Sequence, residues 1–385
     1  MAVAPFLQAA RGEPADVTPV WFMRQAGRYM PEYRAIRAHH TLLEICARTE
    51  LAAEVTLQPV AALGVDAAIL FADILLPLVP LGLDLQFAPG EGPVIFNRLR
   101  TAAQVTALRS VDVESDLGHV LEAVRISRRL LEGRVPLIGF AGAPFTVASY
   151  AVEGGASRYF VETKKLMFGA PEVWHDLMSR LARVVADYLS AQVRAGAQAV
   201  QLFDSWAGAL APGDYRRYVL PYSKFVLDAL EPLGVPRIHF GVGTGALLEA
   251  MRDAGGDVIG LDGQTPLDEG WRRVGYERGI QGNLDPVALF APLPELERRV
   301  DDVLRRAAGR PGHIFNLGHG ILPGTPVERV RAVVELVHEK SSRAPEAPGL
   351  RPGSAPEGSS RGSAPEGFSQ APGLRPGSAG AGRPA

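Results

Sequence analysis

The chain has 385 residues, of which 47% are apolar and 21% charged, and its formal net charge is −2. This composition is typical of a globular protein with a large core, and a pI near 6.5 argues against a nucleic-acid-binding face. The single cysteine, Cys46, excludes an intramolecular disulfide and a cysteine-rich metal site. The N-terminal residues do not match a signal peptide, and no run of about 18 apolar residues predicts a membrane span. We therefore expect a cytoplasmic protein that binds neither membranes nor nucleic acid.

Short apolar runs alternate with helix-like segments along residues 1–341. The eight runs are 19–23, 66–72, 135–141, 197–203, 235–240, 257–261, 278–282 and 313–317. Alternating strands and helices indicate a parallel sheet, and almost continuously apolar strands indicate a sheet that is covered on both faces. Eight such units predict a single-domain (β/α)8 TIM barrel with insertions. A doubly wound sheet is the alternative, because periodicity alone does not separate the two folds.

Polar residues gather directly after the predicted strands, where a barrel has its active site. The first run is followed by Arg24, Gln25 and Arg28, which create a local positive field in a nearly neutral chain. Paired guanidinium groups suit the bidentate binding of carboxylates or phosphates. Later runs are followed by Asp73, Gly142–Pro144, Asp204–Trp206, Gly241–Gly245, Asp262, Asn283, Asp285 and Gly318–Gly320. Any one of these aspartates is also a candidate helix N-cap.

Several familiar catalytic motifs are missing from the sequence. It contains no HExxH, no P-loop and no GxSxG, and none of its four lysines follows a strand run. The glycines of Gly241–Gly245 follow a strand and resemble a dinucleotide fingerprint, which keeps a nucleotide-dependent oxidoreductase open as an alternative. What remains is a site of arginines and an aspartate with no electron sink, which suits a polyanionic substrate that carries its own activating chemistry.

Several blocks of the chain resemble the uroporphyrinogen decarboxylase family. TPVWFMRQAGRYMPEYR (18–34) and GFAGAPFTVASYAVEGG (139–155) are similar to two signatures of that family. Shorter similar blocks follow in the same order, at 66–75, 82–93, 201–210, 279–286 and 315–326. The resemblance implies a homodimeric barrel enzyme without cofactor or metal. Such an enzyme removes four CO2 from the acetate side chains of uroporphyrinogen III and gives coproporphyrinogen III in tetrapyrrole biosynthesis.

The resemblance also implies roles for particular residues. Asp73 would accept hydrogen bonds from the four pyrrole N–H groups and stabilise the developing positive charge. Arg24 and Arg28 would hold substrate carboxylates, Arg24 would assist proton delivery, and Tyr150 would bond near Asp73 or the reacting acetate. The implied catalytic residues are Asp73, Arg24 and Tyr150, and the implied substrate-binding residues are Arg24, Gln25, Arg28, Asp73, Tyr150, Phe203, Ser205 and His319. Trp206 stands at a position where family members vary.

Two further alternatives and the C-terminal segment complete the sequence-based picture. A corrinoid-type methyltransferase on the same barrel would carry zinc held by His and Cys, and Cys46 alone does not supply the usual thiolates. A non-catalytic tetrapyrrole-binding protein is disfavoured by the presence of Asp73 and both arginines.

Residues 342–385 are rich in Pro, Gly, Ser and Ala, with APGLRPGSA at 347–355 and again at 371–379. We expect this segment to be a disordered tail outside the barrel domain of residues 1–341.

Overall fold

The computed structural model describes residues 3–88 and 92–342. Within these ranges the strands are β1 (Ala68–Ile69), β2 (Leu85–Ala88), β3 (Gly92–Ile95), β4 (Leu137–Gly142), β5 (Ala199–Asp204), β6 (Arg237–Gly241), β7 (Val258–Gly260), β8 (Gly279–Gln281) and β9 (His313–Ile314). All except β2 and β3 form one parallel sheet in the order β1-β4-β5-β6-β7-β8-β9. The predicted tail at 342–385 lies, apart from Ser342, outside the described residues.

Residues 19–21 close the sheet into a barrel. The Phe315 N–H donates to the Pro19 carbonyl at 2.8 Å, and the Trp21 N–H donates to the Phe315 carbonyl at 3.3 Å. On the other side, the Asp66 N–H donates to the Val20 carbonyl at 2.7 Å. The first predicted run therefore joins the last strand to the first and acts as the eighth strand. This closure confirms the predicted barrel, and the doubly wound alternative is wrong.

Helices surround the barrel. They are α1 (Pro5–Ala10), α2 (Pro31–Arg37), α3 (Leu42–Ala47), α4 (Thr49–Leu63), α5 (Ala102–Thr106), α6 (Val113–Asp116), α7 (Gly118–Leu130), α8 (Pro144–Glu153), α9 (Val161–Gly169), α10 (Pro171–Ala195), α11 (Pro212–Tyr218), α12 (Leu220–Leu230), α13 (Leu248–Ala254), α14 (Leu267–Val274), α15 (Leu293–Ala307) and α16 (Val327–Ser341). Several begin with proline in the first turn, where its missing N–H costs no hydrogen bond. None of the described helices is long and apolar enough to cross a membrane.

The barrel interior holds an apolar cluster with a short polar chain across it. Helix α1 covers the end at which the strands begin, because Phe6 packs in the same buried cluster as Ile238 and Ile314. The Trp21 indole N–H donates to Gln281 at 3.0 Å. The Gln281 amide in turn donates to the Gln201 side chain at 3.0 Å. These bonds satisfy polar atoms inside the barrel and tie the closing strand to β8 and β5.

The insertion between β1 and β4 contains an element that the strand prediction missed. Strands β2 and β3 form an antiparallel hairpin within the block that had been recognised only as a family resemblance. At the end of β3 the Ile95 N–H donates to the Gly154 carbonyl at 2.9 Å, and beyond the hairpin the Leu99 N–H donates to the Ala151 carbonyl at 2.9 Å. The insertion is thereby fastened to the C-terminal end of α8, the helix that carries Tyr150.

Candidate active site

Gln25 holds the turn that follows the closing segment and carries Arg24 and Arg28, which we call the arginine turn. This residue is completely buried, and its side-chain oxygen accepts the Phe22 N–H at 3.1 Å. Its amide donates to the Ala67 carbonyl at 3.1 Å, next to β1. The Tyr29 hydroxyl donates to the Gln25 carbonyl at 2.7 Å. Sequence reasoning placed Gln25 among the substrate-binding residues, whereas in this structure its side chain holds the turn itself.

Arg24 lies at the top of this turn in an unusual backbone conformation. Its φ of 60° falls in the left-handed region, which is rare for a residue other than glycine and is found mainly at functional sites. Its exposed side chain lies over Gly320, where an added Cβ would stand 2.5 Å from Arg24 Cδ. The Ile321 N–H donates to the Met23 carbonyl at 2.9 Å. The turn and the loop after β9 therefore support each other.

The other arginines of the segment have different surroundings. Arg28 is exposed, and its electrostatic neighbour is Tyr33. Arg34 lies on α2 and donates to the carbonyls of Arg28 and Tyr29, at 3.1 and 2.7 Å. Arg37, at the end of α2, donates to the His40 carbonyl. Arg34 and Arg37 are thus engaged with backbone, whereas within residues 3–88 and 92–342 no hydrogen bond or ion pair holds the side chains of Arg24 and Arg28.

Asp73 follows β1 at the mouth of the barrel. Its Oδ1 accepts the Leu75 N–H at 2.9 Å, and no hydrogen bond within the described residues reaches Oδ2. Burial raises the pKa of Asp73 to about 6, although the Leu75 N–H and the Arg24 charge both act in the opposite direction. At pH 7 roughly nine-tenths of such a group is ionised. The site therefore presents a carboxylate with one oxygen available to a ligand.

Tyr150 lies on α8 next to this carboxylate. Burial and the Asp73 charge raise the pKa of Tyr150 to about 12, and the Arg24 charge opposes them. The phenol is therefore neutral at physiological pH and can donate a hydrogen bond. Its ring stacks on Trp206, with centroids 3.8 Å apart and planes at 28°. Tyr150, Asp73 and Arg24 are thus close enough to influence one another's charge.

Strand β5 contributes the apolar wall of the site. Phe203 packs edge-on against Phe140 at 5.6 Å and against Phe240 at 5.9 Å, and it is half-buried. Ser205 follows it and is also half-buried. Because successive residues of a strand point to opposite faces, Phe203 takes the face opposite to that of Asp204. Phe203 therefore faces the rings of Phe140 and Phe240, and Ser205 lies one residue beyond the end of β5.

His319 lies in the loop after β9, beside the arginine turn. Burial and the Arg24 charge lower the pKa of His319, and its contact with the Gly320 carbonyl opposes this. The imidazole Nδ1 is 3.3 Å from that carbonyl oxygen. His319 is therefore mostly neutral at pH 7. Because its Nδ1–H donates to that carbonyl, its Nε2 accepts a hydrogen bond from a ligand and donates one to a carboxylate only when the ring is protonated. The carbonyl contact and the arginine together orient this ring.

The remaining aspartates at strand ends serve the structure. Asp285 accepts the Val287 N–H at 2.9 Å and is a helix N-cap. Asp262 accepts the N–H groups of Gly243 and Gln264, the latter at 2.9 Å. Because the Gly243 amide is already bonded, the glycine loop has no free amide there for a phosphate. The geometry therefore does not favour the dinucleotide alternative.

A buried polar group lies at the end of β5, between this strand and α8. Asp204 is fully buried and accepts the Thr146 hydroxyl at 3.2 Å. The buried His239 has its Nε2 3.9 Å from Asp204 Oδ2. The buried His313 contacts the Gly282 carbonyl at 3.0 Å, and burial lowers the pKa of His313 to about 4. Both histidines are thus enclosed by protein.

Two buried residues close to Asp73 were not predicted from the sequence. The buried thiol of Cys46 and the buried hydroxyl of Tyr188 both lie within electrostatic range of Asp73. Burial, followed by the Asp73 charge, raises the pKa of Cys46 to about 12, which makes the thiol a poor metal ligand. The stacking of Trp206 on Tyr150 was not predicted either, because contacts between separate loops leave no signal in local spacing.

The sequence of this chain is similar to those of known proteins. The model of the family "Uroporphyrinogen decarboxylase (URO-D)" matches residues 2–340. A protein named uroporphyrinogen decarboxylase from Sorangium cellulosum is 62% identical over 333 residues, which cover 86% of this chain and 95% of that protein. One of the same name from Carboxydothermus hydrogenoformans is 58% identical over 88% of this chain and 96% of its own length. A third, from Solibacter usitatus, is 55% identical over 88% of this chain and 99% of its own length.

Among solved structures, a methyltransferase from Methanosarcina mazei superposes with a TM-score of 0.74. The match covers 87% of this chain and 98% of that protein, at 21% sequence identity. A B12-independent methionine synthase from Shewanella superposes with a TM-score of 0.52 at 10% identity, over 78% of this chain and 90% of that protein. At such identities the likeness concerns the fold alone.

Proposed function

This chain belongs to the uroporphyrinogen decarboxylase family, and from this premise we propose that Asp73 is the centre of its reaction. The enzyme is a carboxy-lyase of tetrapyrrole biosynthesis that removes four CO2 from the acetate side chains of uroporphyrinogen III. The product is coproporphyrinogen III. The methyltransferase and oxidoreductase alternatives are not favoured.

The chemistry explains why a carboxylate is needed. Loss of CO2 leaves a carbanion equivalent, and a pyrrole ring protonated on carbon accepts its electrons. The substrate thus supplies its own electron sink, and the protein must stabilise a transient positive charge. The observation that carries the proposal is the half-buried Asp73 carboxylate, whose Oδ2 accepts no hydrogen bond from the part of the chain that the structure describes. Preorganised groups of this kind contribute about 3–4 kcal/mol each to transition-state stabilisation.

Arg24 and Arg28 hold the substrate over this carboxylate. Each charge-assisted bond to a substrate carboxylate contributes on the order of 1.5–3 kcal/mol. An arginine is a poor acid, so Arg24 assists proton delivery by positioning a water or a carboxylic acid of the substrate. Gln25 supports both arginines through its buried bonds to the turn. We assign it a positioning role.

The other site residues complete the binding surface. Tyr150, which is neutral, donates a hydrogen bond to the reacting acetate next to Asp73. Ser205 and His319 bind carboxylates at the rim, and Phe203 packs against the macrocycle. Protonation of His319 strengthens its contact with an anion, and burial and the Arg24 charge resist that protonation by lowering its pKa. Carboxylate binding at this position therefore strengthens toward acid pH.

We also propose that the enzyme works as a cytoplasmic homodimer without a metal or cofactor. The homodimer and the absence of a cofactor follow from membership of the family, and the cytoplasmic location follows from the composition of the chain. Sedimentation of the purified full-length chain measures the dimer directly. A monomer at assay concentrations would overturn that part of the proposal.

The proposal is tested by anaerobic turnover of uroporphyrinogen III with enzyme that has been treated with a chelator. Products are oxidised to porphyrins and separated by chromatography. We expect a four-carboxylate product at full rate. Recovery of the eight-carboxylate substrate alone would refute the assignment, and a rate that returns only when a metal is added would refute metal independence.

A further inference from the structure

The contact between Trp206 and Tyr150 is unusually close. The two rings stack with centroids 3.8 Å apart, whereas aromatic pairs in proteins generally lie about 4.5–7 Å apart. The backbone N–H of Trp206 also points to the Thr146 hydroxyl, at 3.4 Å. Thr146 lies on α8, one turn before Tyr150. The loop after β5 therefore contacts α8 with both its ring and its backbone, on the turn that carries the phenol.

A second aromatic ring, that of Phe160, also contacts the indole. The rings of Trp206 and Phe160 lie 4.9 Å apart at 59°. Phe160 has a φ of 53°, a strained conformation for a bulky residue, and its N–H donates to Ser157 Oγ at 3.0 Å. Its ring contacts Phe145 at 6.5 Å, and Phe145 contacts the buried Trp174 at 6.1 Å. A continuous row of aromatic rings thus connects the core to Tyr150.

This row of aromatic rings restricts rotation of the Tyr150 side chain. The Tyr150 hydroxyl must lie beside Asp73 and Arg24 to donate a hydrogen bond to a substrate there. Rotation of Tyr150 about its Cα–Cβ bond would carry the hydroxyl away, and the stacked indole opposes that rotation. We propose that Trp206 is a positioning residue that fixes the Tyr150 hydroxyl in the decarboxylation site. This inference rests on the proposed role of Tyr150.

Two observations indicate that Trp206 positions Tyr150 and does more than fill space. Trp206 and Tyr150 are both only partly buried, so the stack lies at the edge of the site rather than in the core. Phe160 adopts a strained backbone at the point where its ring meets the indole. A loop that merely covered α8 would not need this second support. The position after Ser205 therefore determines how firmly the phenol is held.

The test compares Trp206→Ala, Trp206→Leu and Trp206→Phe in the full-length enzyme, with Trp271→Phe as the matched control. Trp271 lies on α14, where its indole N–H bonds to the Arg278 carbonyl at 2.8 Å, and it belongs to no part of the proposed site. We expect kcat to fall by roughly 10- to 100-fold in the Ala and Leu variants, with KM changed by less than about threefold. Trp206→Phe should restore kcat to within about threefold, because it keeps a ring that can stack.

A double-mutant cycle with Tyr150→Phe decides the mechanism. If Trp206 acts through the phenol hydroxyl, Trp206→Leu has almost no further effect on kcat once Tyr150→Phe is present. Additive losses would overturn the inference, as would a rise in KM at unchanged kcat, which would show that the indole binds substrate directly. Normal kcat in Tyr150→Phe would instead refute the proposed role of Tyr150. Trp206→Leu, which retains much of the side-chain volume, keeps the test decisive if Trp206→Ala fails to fold.

Discussion

Replacing Gly320 by alanine would place a methyl group where the Arg24 side chain lies. The added Cβ would stand 2.5 Å from Arg24 Cδ, 2.7 Å from Cγ and 3.1 Å from Nε. Carbon atoms in contact are about 3.5–4.0 Å apart, so the Arg24 side chain must move by about 1 Å or more. Gly320 does not have a positive φ, so its own backbone accepts alanine without strain. The change therefore acts on the arginine and not on the loop.

The size of the effect follows from what Arg24 is proposed to do. One charge-assisted bond to a substrate carboxylate contributes about 1.5–3 kcal/mol. Its loss corresponds to a decrease of roughly 10- to 150-fold in kcat/KM. Stability should change by less than about 1 kcal/mol, because the displaced side chain is exposed and flexible. Catalysis and stability are thus expected to separate in Gly320→Ala.

The measurement combines anaerobic decarboxylation kinetics with thermal unfolding. Gly213→Ala on α11 is the matched control, because its added Cβ would meet nothing within 4 Å. That control should keep full activity and gain about 0.5–1 kcal/mol of stability. Arg24→Ala and Arg24→Ala/Gly320→Ala should be equally slow. Normal kcat/KM in Gly320→Ala, or a further loss in the double variant, would refute the reasoning about Arg24.

Other predictions concern the carboxylates and the C-terminal segment. Asp73→Asn should lose most activity and yet melt at a higher temperature than the unsubstituted enzyme at pH 8. The pKa of Asp73 is about 6 in the folded protein and 3.8 ordinarily, so the protonated form stabilises the fold at low pH. This stability is lost as the pH rises through about 6, and the asparagine variant does not lose it. The two proteins should melt alike near pH 3, and a lower melting temperature of Asp73→Asn at pH 8 would contradict this. The rate of the unsubstituted enzyme should fall as the pH drops through about 6, and a rate that holds steady down to pH 4 would show that ionised Asp73 is not needed. Asp66→Ala should lower the free energy of unfolding, measured in urea, by about 1–3 kcal/mol. The reason is that Asp66 Oδ2 accepts the buried Val20 N–H at 2.7 Å and lies 2.7 Å from His338 Nε2. An unchanged unfolding midpoint would show that this junction is dispensable. Truncation after Ser341 should leave kcat unchanged, and a large loss would show that the removed segment takes part.

The strands and the mouth of the barrel were predictable from sequence because their signals are local. Each apolar run coincides with a strand or, for residues 19–23, with the closing segment. Side-chain direction at the ends of strands was harder to predict. Asp204 ends β5 and is buried against Thr146 of α8, whereas Ser205 follows in a turn and is only partly buried, and the sequence alone does not show where the strand ends. The end of β5 is therefore where sequence and structure inform each other most.

Contacts between distant loops left no such signal. Gln25 is polar and stands between two residues of the proposed site, but it is turned into the protein to bond the Ala67 carbonyl. Trp206 meets Tyr150 only because β5 and α8 are adjacent in the fold. The hairpin of β2 and β3 was missed because its two strands are only four residues each and belong to no barrel unit. Such features depend on tertiary packing, which overrides local propensity.

The closure of the barrel by residues 19–21 also bears on synthesis of the enzyme in the cell. The closing segment hydrogen-bonds to Phe315, which is almost 300 residues further along the chain. Translation takes roughly 15–60 s to cover that distance at about 5–20 residues per second. Throughout this interval the segment can bond to Asp66 and Ala67, but it lacks Phe315, its partner on the other side. The proposed substrate clamp therefore forms only when the last strand leaves the ribosome, and a chain that terminates before Phe315 has no assembled clamp.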